Sequence, residues 1–348
     1  MATDVRQTLP GTAYHSAETY ALDKERVFYR NWIYVGRAER VARPGAWMRV
    51  EIADESVLVV RGKDERVRGF YNVCRHRAGA VAEGCGHRQT LQCQYHGWTY
   101  SLDGRLLATP EFEGVADFDR AAFGLRPVRT DTWGPFVFVN LDNTAPPLTA
   151  VLGRIPEETA PFHPEAYTFA ERRDYTIACN WKVYVDNYLE GYHVPVAHPG
   201  LFRELDYANY RVETFPTYSK QHAPIRPAGG ADRRYGGPAA AAGALYYWVF
   251  PNWMVNLYPD NLSINIVIPL SVDRTLTVFE WYAPPGADRA AIDQSIVFSD
   301  QIQREDIGLC EAVQRRLGSR AYNRGRFSVK RENGVHHFQG LVHAWLSG

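Results

Sequence analysis

Two short stretches hold the residues best equipped for chemistry. "YNVCRHRAG", residues 71–79, contains Cys74 and His76, and "LQCQYHGWTY", residues 91–100, contains Cys93 and His96. The pattern is Cys-x-His, sixteen residues, then Cys-x-x-His. Two thiolates and two imidazoles can close around a metal. A structural zinc site uses such donors, but its paired ligands favour two to four intervening residues, which Cys-x-His does not have. One Cys and one His from each loop also allow the thiolates to hold one iron and the imidazoles a second, as in a Rieske [2Fe–2S] cluster. Imidazoles in place of thiolates raise the reduction potential, which suits a centre that passes electrons on. Cys85 and His87 lie between the pairs and are spare donors under the zinc alternative. Trp98 and Tyr100 are expected to shield the centre.

A second set lies in "NWKVYVDNYLEGYHVPVAHPG", residues 180–200. On a continuous helix Asp186, Glu190 and His193 fall at i, i+4 and i+7 and share a face. Pro195 must end that helix, so the chain can turn and bring His198 back. Two imidazoles and one carboxylate make the facial triad of non-haem Fe(II) oxygenases, with positions left open. The carboxylate has to come from elsewhere. In the helix expected over 286–319, Asp306 falls within the apolar series Ile292, Ile296, Ile302, Leu309, Val313 and Leu317. An acid in such a stripe is costly unless it is paired or binds metal. Glu305, at a neighbouring angle, is the alternative. The plainer explanation of both segments is a solvated helix face.

Around these residues the sequence suggests the elements that position them. Residues 17–35 read as a short helix. Residues 45–140 read as β, with strand-like runs "AWMRVEI", "SVLVVRG", "VRGFYNV" and "GPFVFVNL" and an Asp-Gly hairpin signal in "LDGR". Residues 143–165 are Pro-rich and look like a linker, and 180–194 read as a helix. Four more strand-like runs fill 245–282, before the long helix. The expected fold is α+β: a small β domain, then a larger α+β domain. "GGPAAAAGA", 236–244, reads as a loop.

The two metal patterns and their flanks resemble a known family. "CRHRAGAV" with "CQYHGWTY" is similar to the Rieske domain of ring-hydroxylating and N-demethylating oxygenases. "NWK", "DNYLEGYHVPVAH" and "QREDIGLCEAVQ" resemble the catalytic domain of Rieske oxygenase α subunits, a domain of helix-grip type. The resemblance implies an N-terminal helical segment over 1–40 packing on the catalytic domain, a Rieske domain over 41–150 and a catalytic domain over 151–348. It implies that Cys74, His76, Cys93 and His96 hold a [2Fe–2S] cluster, and that His193, His198 and Asp306 hold a mononuclear Fe(II) that uses O2. It makes Glu190 the acid that bridges a cluster histidine of a neighbouring subunit to an iron-ligand histidine of its own, with Asp186 extending that network or capping buried polar atoms. It further implies a ring-shaped homotrimer. Glu190, and the stretch "FSVKRENGVHHFQGLV", are the pattern of the branch resembling choline, carnitine and glycine-betaine monooxygenases.

Hydroxylation or N-demethylation of a small quaternary or N-methyl amine is therefore expected. Oxidation of an aromatic acid and electron transfer without catalysis are the alternatives. Tyr246, Tyr247, Trp248, Trp253, Tyr258, Trp281 and Tyr282 could supply an aromatic cage for a cation. No basic residue stands out as partner for a substrate carboxylate. No Gly-x-Gly-x-x-Gly follows a strand, so NAD(P)H is expected to act only through a separate reductase.

Composition narrows the class. The formal net charge is zero, which gives no reason to expect nucleic acid or an anionic membrane as partner. No stretch approaches a transmembrane length. Five cysteines in 348 residues are no disulfide framework. The opening "MATDVRQTLPG" has no apolar leader run, so a cytoplasmic protein is expected.

Overall fold

The computed structural model describes residues 7–226 and 243–348. The chain forms two compact units, Phe28–Leu148 and, discontinuously, Met1–Val27 with Thr149–Gly348. Most of "GGPAAAAGA" lies outside the described residues.

The smaller unit is β. Its strands are β1 (Ile33–Arg37), β2 (Ala46–Ile52), β3 (Glu55–Arg61), β4 (Val67–Tyr71), β5 (Cys85–His87), β6 (Leu91–Gln92), β7 (Thr99–Tyr100), β8 (Leu106–Ala108), β9 (Pro127–Trp133) and β10 (Phe136–Asn140). Seven form one antiparallel sheet in the order β1-β10-β9-β4-β3-β2-β5, and β6-β7-β8 form a second. β10 and the centre of β3 are buried on both faces, which explains why they read as unbroken apolar runs. The Asp103-Gly104 turn joins β7 to β8, as the sequence suggests. Gly104 is required there: its φ is +87°, and a Cβ would stand 2.5 Å from the Phe70 ring. The core gathers Trp47, Leu58, Phe70, Trp98 and Tyr100 around Cys74 and Cys93.

The helix expected over 17–35 is shorter. Ala17–Leu22 is α-helical, Asp23–Phe28 is a π-helical turn, and the chain becomes strand at Ile33. Residues 33–37 pair with β10, and that ladder takes residues 28–40 into the smaller unit rather than with the N-terminal segment. The π turn carries Asp23, whose fully buried carboxylate accepts from Trp181 Nε1 at 3.0 Å and pairs with buried Lys182. Burial raises the Asp23 pKa and lowers that of Lys182.

The larger unit is built on a seven-stranded antiparallel sheet, ordered β11 (Thr168–Ile177), β17 (Arg274–Ala283), β16 (Leu262–Ser271), β15 (Trp253–Leu257), β14 (Ala244–Val249), β13 (Tyr218–Ala223) and β12 (Arg211–Thr214). The four runs of 245–282 are four of these strands. The edge strand β11 escaped the sequence because it is mostly polar and half-exposed. The expected linker holds short helices, Leu148–Leu152 and Ile155–Thr159.

Three helices shape the site. Trp181–Tyr188 starts at an Asn180 cap, whose side chain accepts from Lys182 N, and ends at Leu189. Glu190 and His193 therefore lie in the turn after the helix, not on a continuous helical face. Arg289–Leu317 is capped by Asp288 and stops at Gly318. Its buried stripe is Ile292, Ile296, Gln303, Cys310 and Leu317, whereas Leu309 and Val313 are exposed. The apolar series in the sequence thus mixes two faces, and Asp306 sits on the flank between Gln303 and Cys310. Asn333–Ser347 closes the unit. Among the described residues no helix is long and apolar enough to cross a membrane.

Candidate active site and metal centres

The two Cys/His loops of the smaller unit are closed by the same hydrogen bonds. Cys74 N donates to Gly79 O and Ala78 N to Cys74 O, while Cys93 N donates to Trp98 O and Gly97 N to Cys93 O. The fourth residue after each Cys has a positive φ, 57° at Ala78 and 73° at Gly97. One turn is thus used twice, with His third in one loop and fourth in the other.

Both thiols are buried and lie side by side. Burial raises the Cys93 pKa, opposed by the backbone N–H groups of Tyr95 and His96 and reinforced by Cys74. Tyr100 Oη lies 3.2 Å from Cys74 Sγ. The imidazoles of His76 and His96 meet with ring centroids 4.7 Å apart, and His76 stacks on Trp98. Desolvation, with His96 and Arg77, lowers the His76 pKa and favours the neutral ligand form. His76 Nδ1 is buried without a partner. An orphaned ring nitrogen facing a second imidazole, beside two buried thiols, fits a cluster held by two Cys and two His. The thiol end is buried, whereas His96 is exposed. Cys85 and His87 are not brought in: both lie on exposed β5, with His87 Nε2 on Pro44 O at 2.8 Å.

In the larger unit His193, His198 and Asp306 converge, each offering a ligand atom within 4.8 Å of the others. Nε2 of His198 is 2.9 Å from Asp306 Oδ1, and Nε2 of His193 is 3.6 Å from it. Each outer nitrogen faces a glutamate. His193 Nδ1 lies 2.5 Å from Glu190 Oε1, and His198 Nδ1 lies 2.6 Å from Glu305 Oε2. An Nδ1–H donated to each glutamate leaves both Nε2 lone pairs aimed at a carboxylate. That arrangement needs a cation at its centre, and two imidazoles with one carboxylate fit a mononuclear iron. Burial opposes the charged form of His198, yet Asp306 and then Glu305 hold its pKa above the ordinary value.

Two partners were not evident in the sequence. Asn187 Nδ2 donates to Asp306 Oδ1 at 2.7 Å, and Glu305 braces His198 rather than competing with Asp306. An amide mid-helix beside a row of apolar residues was the only available signal for Asn187. Asp186 turns away from the metal-binding groups. Tyr14 Oη donates to it at 2.7 Å and Gln339 Nε2 at 2.9 Å, so it ties the N-terminal segment and the last helix to Trp181–Tyr188. Burial raises the Asp186 pKa to about 7, against the hydrogen bonds from Tyr14 and Gln339 and the charge of Lys182.

Beside the triad is a cavity of about 140 Å³. Its floor is one face of the sheet. The register Tyr246↔Asn256, Asn256↔Ser263 and Ser263↔Trp281 sets a row of four side chains across four strands. Tyr246, Tyr258 and Trp281 line the cavity, whereas Tyr247, Trp248, Trp253 and Tyr282 do not. Tyr247, on the opposite face, bonds to Glu158 at 2.8 Å.

Residues 31–119 match the family described as the Rieske [2Fe-2S] domain, and residues 164–348 match the ring hydroxylating alpha subunit (catalytic domain). The chain belongs to the Rieske oxygenases. Choline monooxygenase, chloroplastic, of Arabidopsis thaliana is 35% identical over 97% of this Rieske oxygenase and 82% of its own length. The carnitine monooxygenase oxygenase subunit of Acinetobacter pittii is 29% identical over 97% and 95%. A solved structure of the quaternary ammonium Rieske monooxygenase CntA with L-carnitine superposes with a TM-score of 0.86 at 28% identity, covering 98% of this chain and 96% of that one. This Rieske oxygenase is therefore an oxidoreductase that carries a [2Fe–2S] cluster and a mononuclear iron and uses O2. When bound, the cluster relays single electrons, and the mononuclear iron offers open positions for O2 activation.

Proposed function

We propose that this oxygenase oxidises a small quaternary or N-methyl amine. One observation carries the substrate class. Among the described residues the cavity is lined by aromatic rings and by the carboxylates of Glu190 and Asp306, with no Lys or Arg. Rings and carboxylates favour a cation, and nothing among those residues would pair with an aromatic acid. The reaction joins the substrate C–H, O2, two electrons and two protons to give C–OH and water, with electrons from a separate reductase. On an N-methyl carbon the product releases formaldehyde and leaves the demethylated amine.

Cys74 and Cys93 would hold the inner iron of the cluster, and His76 and His96 the outer one. His193, His198 and Asp306 would hold the mononuclear iron, oriented by Glu190, Glu305 and Asn187. We further propose a homotrimer in which Glu190 also accepts from a cluster histidine of a neighbouring subunit. Glu190→Gln is then expected to keep both metals but slow electron transfer between them, and an unchanged single-turnover rate would remove that role. No disulfide joins any of the five cysteines, which supports a reducing compartment, and we propose the cytoplasm.

The test is O2 consumption with a surrogate reductase over quaternary amines and aromatic acids. Product formed from an amine, one O2 per product, is the expected result. Turnover of an aromatic acid alone would replace this substrate class.

A further inference from the structure

The stretch "FSVKRENGVHHFQGLV" supplies no group to either metal site, yet it contains the start of the helix Asn333–Ser347. That helix packs on Trp181–Tyr188. The Phe338 ring meets Trp181 edge-on with centroids 5.6 Å apart, and Gln339 Nε2 donates to Asp186 at 2.9 Å. Its first turn is tied to the edge of the sheet and to the segment before it. Asn333 Nδ2 donates to Val212 O of β12 at 2.8 Å, and Arg331 Nη1 to Tyr207 O at 3.1 Å.

Where this helix starts, it meets the turn that carries Glu190 and His193. Gly334 is buried, and a Cβ built on it would stand 2.3 Å from Leu189 O and 3.1 Å from Val212 Cγ1. Leu189 caps the helix Trp181–Tyr188 and is the residue before Glu190. The same turn has a second close approach. A Cβ on Gly191 would stand 3.0 and 3.1 Å from two carbons of the Tyr210 ring. That ring is fixed in turn: Tyr210 Oη donates to Gln221 Oε1, and Gln221 Nε2 donates to Tyr188 O at 2.8 Å. Glycine thus stands at both places where a side chain would push on the turn. Gly340, further along the same helix as Gly334, has nothing within 4 Å of its Cβ position.

Glycine is a poor helix residue, so alanine in its place ordinarily stabilises a helix. At Gly334 the methyl group has no room. Ordinary contact begins at 3.4 Å, and the obstacle at 2.3 Å is a backbone carbonyl, which cannot rotate away as a side chain can. A shift of Leu189 passes directly to Glu190. It passes on to His193 as well, because Glu190 accepts from the backbone N–H groups of Tyr192 and His193 and faces His193 Nδ1 at 2.5 Å. Resting on the assignment of His193 and Glu190 to the mononuclear iron, we propose that Gly334 is a positioning residue for that iron, with Gly191 in support. The backbone contact between the start of the last helix and Leu189 sets where Glu190 and His193 stand.

The test compares Gly334→Ala with Gly340→Ala, the same change in the same helix. The metal-loaded enzyme is assayed with a surrogate reductase on the substrate that the O2-consumption test selects. The mononuclear iron is probed by the electron paramagnetic resonance of its nitric oxide adduct, and amide hydrogen exchange is followed over residues 189–193. Gly340→Ala is expected to raise the melting temperature and to leave the other readings unchanged. Gly334→Ala is expected to lower kcat on the order of 10²-fold, the effect of a displacement of about 1 Å at a reacting centre, with KM little changed. Its nitric oxide signal is expected to change shape and the Tyr192 and His193 amides to exchange faster, while the visible spectrum of the cluster persists. Gly191→Ala, where a ring rather than a carbonyl must give way, is expected to act in the same direction and less. Should Gly334→Ala fail to fold, Gly191→Ala decides, and a wild-type kcat and nitric oxide signal there overturn the inference. A lowered melting temperature in Gly334→Ala, with kcat per bound iron and the nitric oxide signal unchanged, overturns it too and assigns the contact to stability alone. A wild-type enzyme that holds its cluster but gives no nitric oxide signal would remove the iron assignment at His193, and this inference with it.

Discussion

The cluster loops and the triad assemble metal-binding groups by different routes. Cys74, His76, Cys93 and His96 come from two copies of one turn, each closed by its own backbone hydrogen bonds. The triad joins the turn after Trp181–Tyr188 to the middle of Arg289–Leu317, with His198 and Asp306 separated by 108 positions. The loops are pre-shaped locally. The triad exists only if two helices keep their packing, which depends on the buried Asp23–Lys182 pair, the Asp186 clasp and the Asn187 bridge. The cluster site is thus expected to be insensitive to changes in the larger unit, and the triad sensitive to several.

Paired ligand variants test this contrast most strongly. Asp306→Ala is expected to lose the mononuclear iron and on the order of 10³-fold or more in turnover, about 4 kcal/mol of barrier, while the visible spectrum of the cluster persists. Cys93→Ala should do the reverse, abolishing the visible spectrum while the larger unit keeps its iron. Loss of both centres in either variant would show that the two sites are not independent.

Next in size is the buried pair. Lys182→Met leaves the Asp23 carboxylate buried and uncompensated, at a cost of about 3–5 kcal/mol in denaturant unfolding. The Asp23→Leu, Lys182→Met double variant is expected to recover most of that loss, because an apolar pair replaces an ion pair well. A double variant no better than the single would assign the loss to packing.

The Asp186 clasp predicts a pH dependence. Its folded-state pKa is pushed up to about 7 by burial, above the ordinary carboxylate value of about 4. The folded protein therefore keeps a proton that the unfolded chain releases, so stability falls as pH rises from about 4 to about 7 and then levels. Asp186→Asn should flatten that slope, which is worth on the order of 2–4 kcal/mol. Thermal melts across this range check it, and an unaltered slope in Asp186→Asn would locate the titration elsewhere.

The smallest effects belong to the braces of the triad. Asn187→Ala and Glu305→Gln are each expected to weaken iron binding about 10–100-fold, seen in chelator competition, with the cluster spectrum unchanged. Unaltered iron affinity in both would leave His193, His198 and Asp306 sufficient alone.

Legibility in the sequence follows the same division. The cluster donors were readable because four residues lie within 74–96, and their spacing carries the chemistry. The triad was readable in composition but misplaced in detail. A continuous helix through 194 put Glu190 and His193 on one face, yet the helix ends at Tyr188, and the turn lets Glu190 accept from the backbone N–H groups of Tyr192 and His193. Asp306 was found through an apolar series that turned out to combine two faces of the helix. The aromatic strands were recognised, but alternation alone could not say which of seven rings reach the cavity. That required the strand register.

By itself the sequence determined the donor types, their pairing in two short loops, the strand-like runs of 245–282 and the family. All of these are local, since spacing and hydropathy act over a few residues. Tertiary structure alone decided that Glu305 braces His198, that Asp186 binds Tyr14 and Gln339, and that Asn187 holds Asp306. Each of these depends on side chains brought together from distant segments. Whether a polar group is satisfied or left wanting is a property of the whole packed unit, not of its neighbours in the chain.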